Sequence, residues 1–294
     1  MGRLQCLRGT KRVELEGNFD GGVMKATNRA YSIESSDERM CHILGLDDNV
    51  YVDSAHIPDP NLLTYDNGFH VDCAAVFIDI RGSSGLVRKH STPVLGKIYR
   101  AYISECIAVL NQDPNCGEIF IQGDCVGALF HVPTAEDVNS VFFRTGELNS
   151  LIQLLNWRLG QKGYSTLECG IGMSVGRALM IKAGYKGSGI NDVIWMGNVV
   201  NEAAKLCHLG NRDGSGVIQV SLSTYAKLNS SHRELLNPVG SLLLGAKHYQ
   251  GTFVSTDMEH WTAEKSSAKE SEWIKLGKWV GLIDEPLPGS LRRA

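Results

Sequence analysis

Two aspartates stand inside apolar runs that would ordinarily exclude them. Asp79 sits near the end of Val71–Ile80 (VDCAAVFIDI), and Asp124 interrupts Glu118–Phe130 (EIFIQGDCVGALF). If the two runs pair as strands, the carboxylates meet. Left alone, each raises the other's pKa, and a divalent cation relieves the repulsion. The chemistry that fits is a polyphosphate gripped through hard cations on oxygen ligands. Singly, Asp79 also reads as the cap of a following helix and Asp124 as a hairpin-turn residue. The pair is what favours a metal site.

Other segments add partners for a phosphate. Gly82, Ser83 and Ser84 follow Asp79 in a turn whose backbone N–H groups suit phosphate oxygens. The run CGIGMSVGRALMIKAG spells GxGxxxG, one residue off a dinucleotide fingerprint and without a preceding Rossmann unit, so that reading fails. Arg177 in this run, expected near a strand end, has the fork to hold phosphate bidentately, though a surface arginine reads the same. In WMGNVVNEAAKL, Asn201 and Lys205 are one turn apart and share a helix face, with Val200, Ala204 and Leu206 packing behind. An amide and a cation together suit charge stabilisation at phosphorus; solvated helix-surface residues are the alternative.

These residues need a scaffold. Val71–Ile80 is apolar enough to be a strand buried on both faces, followed by a loop at Arg81–Gly85. From Thr92 a 3.6-residue stripe runs through Val94, Ile98, Tyr102, Cys106 and Leu110, with Pro93 in its first turn. A tight hairpin follows at Gly123-Asp124, then a helix over Ala135–Leu159 and a strand over Leu167–Leu179. These give a β-α-β-β-α-β order, with Asp192–Trp195 (strand), Gly197–Leu209 (helix) and Gly216–Val220 (strand) appended. This is an α+β, ferredoxin-like plan at residues 70–222. Residues 1–69 read as an extension packing on this core. Residues 223–294 are polar and irregular and complete it; Leu242–Ser255 has the composition to add strands, and Trp273–Leu282 reads as a docked amphipathic helix.

The 294 residues carry a net charge of −3, which excludes a global basic field for nucleic acid. No apolar run reaches the ~20 residues of a membrane span, and the N-terminus has no signal-peptide core. MGRLQC resembles a myristoylation site but has Cys6 where a hydroxyl residue is required. Eight cysteines are scattered without a CxxC pair, and the histidines lack zinc spacing. A reduced, cytoplasmic protein is expected.

In order, FIDIRGSS, GDCVGALF, GIGMSVGRALMIKAG and GNVVNEAAKL resemble the signature segments of class III nucleotide cyclases, from about Val71 to Val220. The resemblance implies two divalent cations, Mn²⁺ or Mg²⁺, on Asp79, Asp124 and the Ile80 carbonyl. It implies a triphosphate on Gly82, Ser83, Ser84 and Arg177, and Asn201 with Lys205 at the transition state. Lys205 replaces the family's arginine, keeping its charge but not its fork. The family shares its sites across a head-to-tail homodimer. Its purine-reading positions fall on Phe120 and Ile194, apolar here, so a purine's polar edge would go unpaired. The run NGFHVDCAAVFIDIRGSS further resembles the bacterial pyrimidine cyclases of the Pycsar antiphage systems. That implies cyclic UMP, with cyclic CMP next, sensed by a separate effector. A purine cyclase with an unusual pocket and a non-catalytic nucleotide-binding module are the alternatives.

Overall fold

The computed structural model describes residues 24–241 and 245–266. Helix α1 (Ile33–Leu44) and strand β1 (Tyr51–Asp53) come first. Then follow β2 (Gly68–Ile80), α2 (Ser83–Lys89), α3 (Thr92–Asn111), β3 (Cys116–Gln122), β4 (Cys125–His131) and α4 (Ala135–Gly160). Next are β5 (Cys169–Tyr185), β6 (Ile190–Met196), α5 (Asn198–Leu209) and β7 (Ile218–Val220). Finally come α6 (Leu222–Lys227), α7 (Ser230–Glu234), β8 (Asn237–Ser241) and β9 (Gly245–Gly251), and residues 256–266 are helical.

The strands form one sheet in the order β3-β4-β2-β5-β7-β9-β8, with β1 beside β2 and β6 beside β5. Its centre, β3-β4-β2-β5, is all antiparallel, the arrangement of the ferredoxin-like plan. Side-chain alternation along β2 divides the core. Ala74, Val76, Ile78 and Ile80 join the cluster under α3 and α4, whereas Cys73, Ala75 and Phe77 join the one under α5. Both sets are buried, which is why the sequence shows a continuous apolar run rather than an alternating one.

The helices are set by local chemistry. Pro93 stands in the first turn of α3. Thr134 and Asp137 form a capping box at the start of α4. Buried Asp113 accepts from Ser140 Oγ (2.7 Å) and Arg144 Nε (3.3 Å), tying the end of α3 to α4.

Three expectations change. Arg81–Gly85 is not simply a loop: Gly82, at φ +61°, turns the chain out of β2, and α2 starts at Ser83, anchored by buried Leu86. Strand β5 runs on to Tyr185 because its second half pairs with β6. Residues 223–266 are not irregular: β9 pairs with β7 and β8. The strand composition read at Leu242–Ser255 falls on β9, and β8 is the edge strand beyond it. Trp273–Leu282 lies outside the described residues. Among those described, no helix is long and apolar enough to cross a membrane.

Candidate active site

Asp79 is the penultimate residue of β2, and its parity with Phe77 and Ala75 places it on the α5 face. Asp124 occupies the two-residue turn between β3 and β4, where Gly123 takes φ +66°. The β2–β4 ladder reaches Ile78↔Val126, so the turn lies beside the end of β2. The structure therefore brings Asp79 and Asp124 together. Burial, then the negative charge of Asp124, pushes the Asp79 carboxyl above its usual range, and Arg81 opposes them.

Around this pair stand groups to which the sequence assigned no role in the site. The Arg81 guanidinium is nearly enclosed, its side chain 7% exposed. It lies 3.5 Å from Asp79 and donates to the Cys207 carbonyl near the end of α5. Gly170, opposite Asp79 on β5, leaves the room: a Cβ there would collide with Arg81 and with the Cys207 carbonyl. Tyr99 on α3 lies near both aspartates and Ser83, and burial and the negative charges push its phenol upward. Gly82, Ser83 and Ser84 follow as the turn into α2, and Ile80 closes the strand.

Asn201 and Lys205 are both exposed on α5, one turn apart. The buried stripe behind them is Val199, Ala203, Leu206 and Cys207, so Ala204 is exposed and Val200 half-buried, unlike the expected backing. Asn201 lines a cleft of about 640 Å³ with Phe120 and Ile194. Phe120 lies edge-on to Phe77, ring centroids 5.3 Å apart, and covers Gly127, where a Cβ would meet its ring at 2.2 Å. Glu118 and Trp195 complete the inner wall: the indole Nε1 donates to Glu118 Oε2 at 2.7 Å. Burial pushes the Glu118 carboxyl above its usual range, and Asp192 adds to the shift. Asp79, Asp124 and Lys205 do not line this cleft.

Arg177 is not where the sequence suggested. Asp79 pairs with Gly170 across the β2–β5 ladder and Asp72 with Arg177, seven positions and about 23 Å further along. Its parity with Val175 puts it on the α3/α4 face, where its guanidinium pairs with Asp53. It does not join the aspartates of its own chain. The error followed from ending β5 at Leu179, which made a mid-strand residue look terminal.

No protein-family model matches the chain. It is 41% identical over 197 residues to a uridylate cyclase of Gulbenkiania mobilis, spanning 65% of this chain and 76% of the relative. It is 33% identical over 207 residues to a uridylate cyclase of Treponema porcinum, spanning 70% and 72%. The chain belongs to the uridylate cyclase family. The fold agrees: an adenylyl cyclase from P. aeruginosa superimposes with a TM-score of 0.53 at 18% identity, over 65% of this cyclase and 98% of that chain. What the sequence missed in this cyclase was Tyr99, Glu118 and Trp195. Glu118 had a signal: two residues before Phe120, it shares that residue's strand face.

Proposed function

We propose that this cyclase converts UTP to 3′,5′-cyclic UMP and pyrophosphate. The observation that carries the reaction is the convergence of Asp79 and Asp124 at the ends of adjacent strands. Both are hard oxygen donors, and their mutual repulsion fits cation binding. Among the described residues no cluster of three or more His, Cys, Asp or Glu is found, so triphosphate oxygens would complete the shell. Asp79, Asp124 and the Ile80 carbonyl would hold two divalent cations, Mn²⁺ or Mg²⁺. Cations bound there lower the pKa of the ribose hydroxyl and offset charge on the phosphates.

The 3′-hydroxyl gives its proton to Asp79 or to a phosphate oxygen of the substrate as its oxygen attacks the α-phosphorus in line. The bond to the bridging oxygen breaks, and pyrophosphate leaves with its electron pair. Gly82, Ser83 and Ser84 hold the phosphates. Asn201 and Lys205 stabilise charge developing at phosphorus. In one chain Asp79 and Asp124 do not line the cleft that holds Asn201. A head-to-tail homodimer would set the aspartates of one copy against the cleft of the other and form two sites. Apolar Phe120 and Ile194 in one cleft, and relatives that are uridylate cyclases, support a pyrimidine, UTP before CTP. By its likeness to the Pycsar systems, the product would be a cytoplasmic second messenger read by a separate effector in antiphage defence.

The test is a product assay of purified protein with each of four nucleoside triphosphates and Mn²⁺. Cyclic UMP as the chief product is expected. Cyclic AMP or GMP as the chief product overturns the pyrimidine assignment, and no cyclic product from any of them overturns the enzyme.

A further inference from the structure

We propose that Glu118, held by the Trp195 indole, reads the uracil ring by accepting the N3 hydrogen. The inference rests on the UTP reading above and deepens it. At the two positions where purine cyclases place polar groups, this cleft has Phe120 and Ile194, which offer a base edge nothing to bond. The polar side chains left on its wall are Glu118, Gln122, Asp192 and Asn201, besides the Trp195 indole N–H. Asn201 has its role at phosphorus. Gln122 is exposed beside the Asp124 turn, and Asp192 is exposed with one oxygen taken by the Val193 N–H at 2.9 Å. Trp195 Nε1 is already given to Glu118. Glu118 alone combines partial burial, a fixed orientation and spare capacity: Oε2 holds the indole, and among the described residues nothing bonds Oε1.

The chemistry selects the base. A carboxylate only accepts. Uracil presents N3–H between two carbonyl oxygens, so a lone acceptor facing the middle of the edge meets its one donor. Cytosine presents a lone pair at N3, which a carboxylate repels. Its amino group lies to one side, and a carboxylate pinned by Trp195 and walled by Phe120 cannot shift to follow it.

The experiment pairs protein variants with a modified substrate. Wild type, Glu118→Ala and Glu118→Gln are assayed with UTP, CTP and N3-methyl-UTP, with thermal melts as the folding control. Wild type is expected to use N3-methyl-UTP at least thirtyfold less well than UTP. In Glu118→Ala, kcat/KM for UTP falls ten- to a hundredfold, and the discrimination against the methylated substrate shrinks to within threefold. Glu118→Gln keeps the volume but adds an amide donor, so its UTP:CTP preference drops at least tenfold; this variant decides if the alanine form does not fold. Undiminished discrimination in Glu118→Ala, or an unchanged UTP:CTP ratio in Glu118→Gln, overturns the role of Glu118 while cyclic UMP synthesis stands. Wild type that forms no cyclic UMP overturns the UTP reading, and this inference with it.

Discussion

The guanidinium of Arg81 reaches from the foot of β2 to the backbone carbonyl of Cys207, near the end of α5. Its other terminal nitrogen lies 3.5 Å from Asp79 Oδ2. One buried cation thus ties the strand that carries Asp79 to the helix that carries Asn201 and Lys205.

Arg81→Met removes the positive charge that opposes the upward shift of Asp79. It also releases Asp79 and the end of β2 from α5, so the carboxylate is no longer held in place for a cation. The Mn²⁺ concentration for half-maximal activity should rise roughly tenfold at neutral pH, and Arg81→Lys should recover part of it. Activity titrated against Mn²⁺ checks this; an unchanged midpoint refutes the coupling.

Asp124→Ala should abolish cyclic product, a loss of at least a hundredfold, and leave the melting temperature within a few degrees of wild type. The side chain sits in a turn and bears a charge that disfavours its neighbour, so its removal costs the fold little. A variant that still cyclises at a tenth of the wild-type rate would rule out the cation assignment.

Gly127→Ala places a Cβ 2.2 Å from the Phe120 ring and 2.9 Å from Phe77. Both rings must move. Overpacking of this kind costs about 1–3 kcal/mol, read from the urea midpoint. The displaced Phe120 wall should also blur selection among the four triphosphates.

The capping box on α4 gives a pH-dependent prediction. Asp137 accepts from the Thr134 hydroxyl and, at 3.0 Å, from its N–H, and these bonds hold its carboxyl below the usual 3.8. A lowered folded pKa means the stabilisation is fully present above 3.8. It is lost as pH falls through the lower folded value. Thr134→Ala should cost about 1 kcal/mol at pH 7. Asp137→Asn should destabilise at pH 7 and converge with wild type near pH 2, in parallel urea titrations.

The aspartate pair was legible because both signals are local. A charged residue closing an apolar run marks a strand end, and Gly-Asp between two such runs marks a two-residue turn. The helix α3 announced itself through periodicity and Pro93 in its first turn. Register and face were not legible for Arg177, because nothing in β5 itself reveals that β6 prolongs it. The Glu118–Trp195 bond joins residues 77 positions apart, and only the folded sheet brings them together.

Asp79 and Asp124 do not line the cleft that Asn201 shares with Phe120 and Ile194. In the paired arrangement proposed above, a solitary copy is therefore silent. Product output at low abundance would then climb with the square of the protein's concentration, and scarcity alone would keep it low.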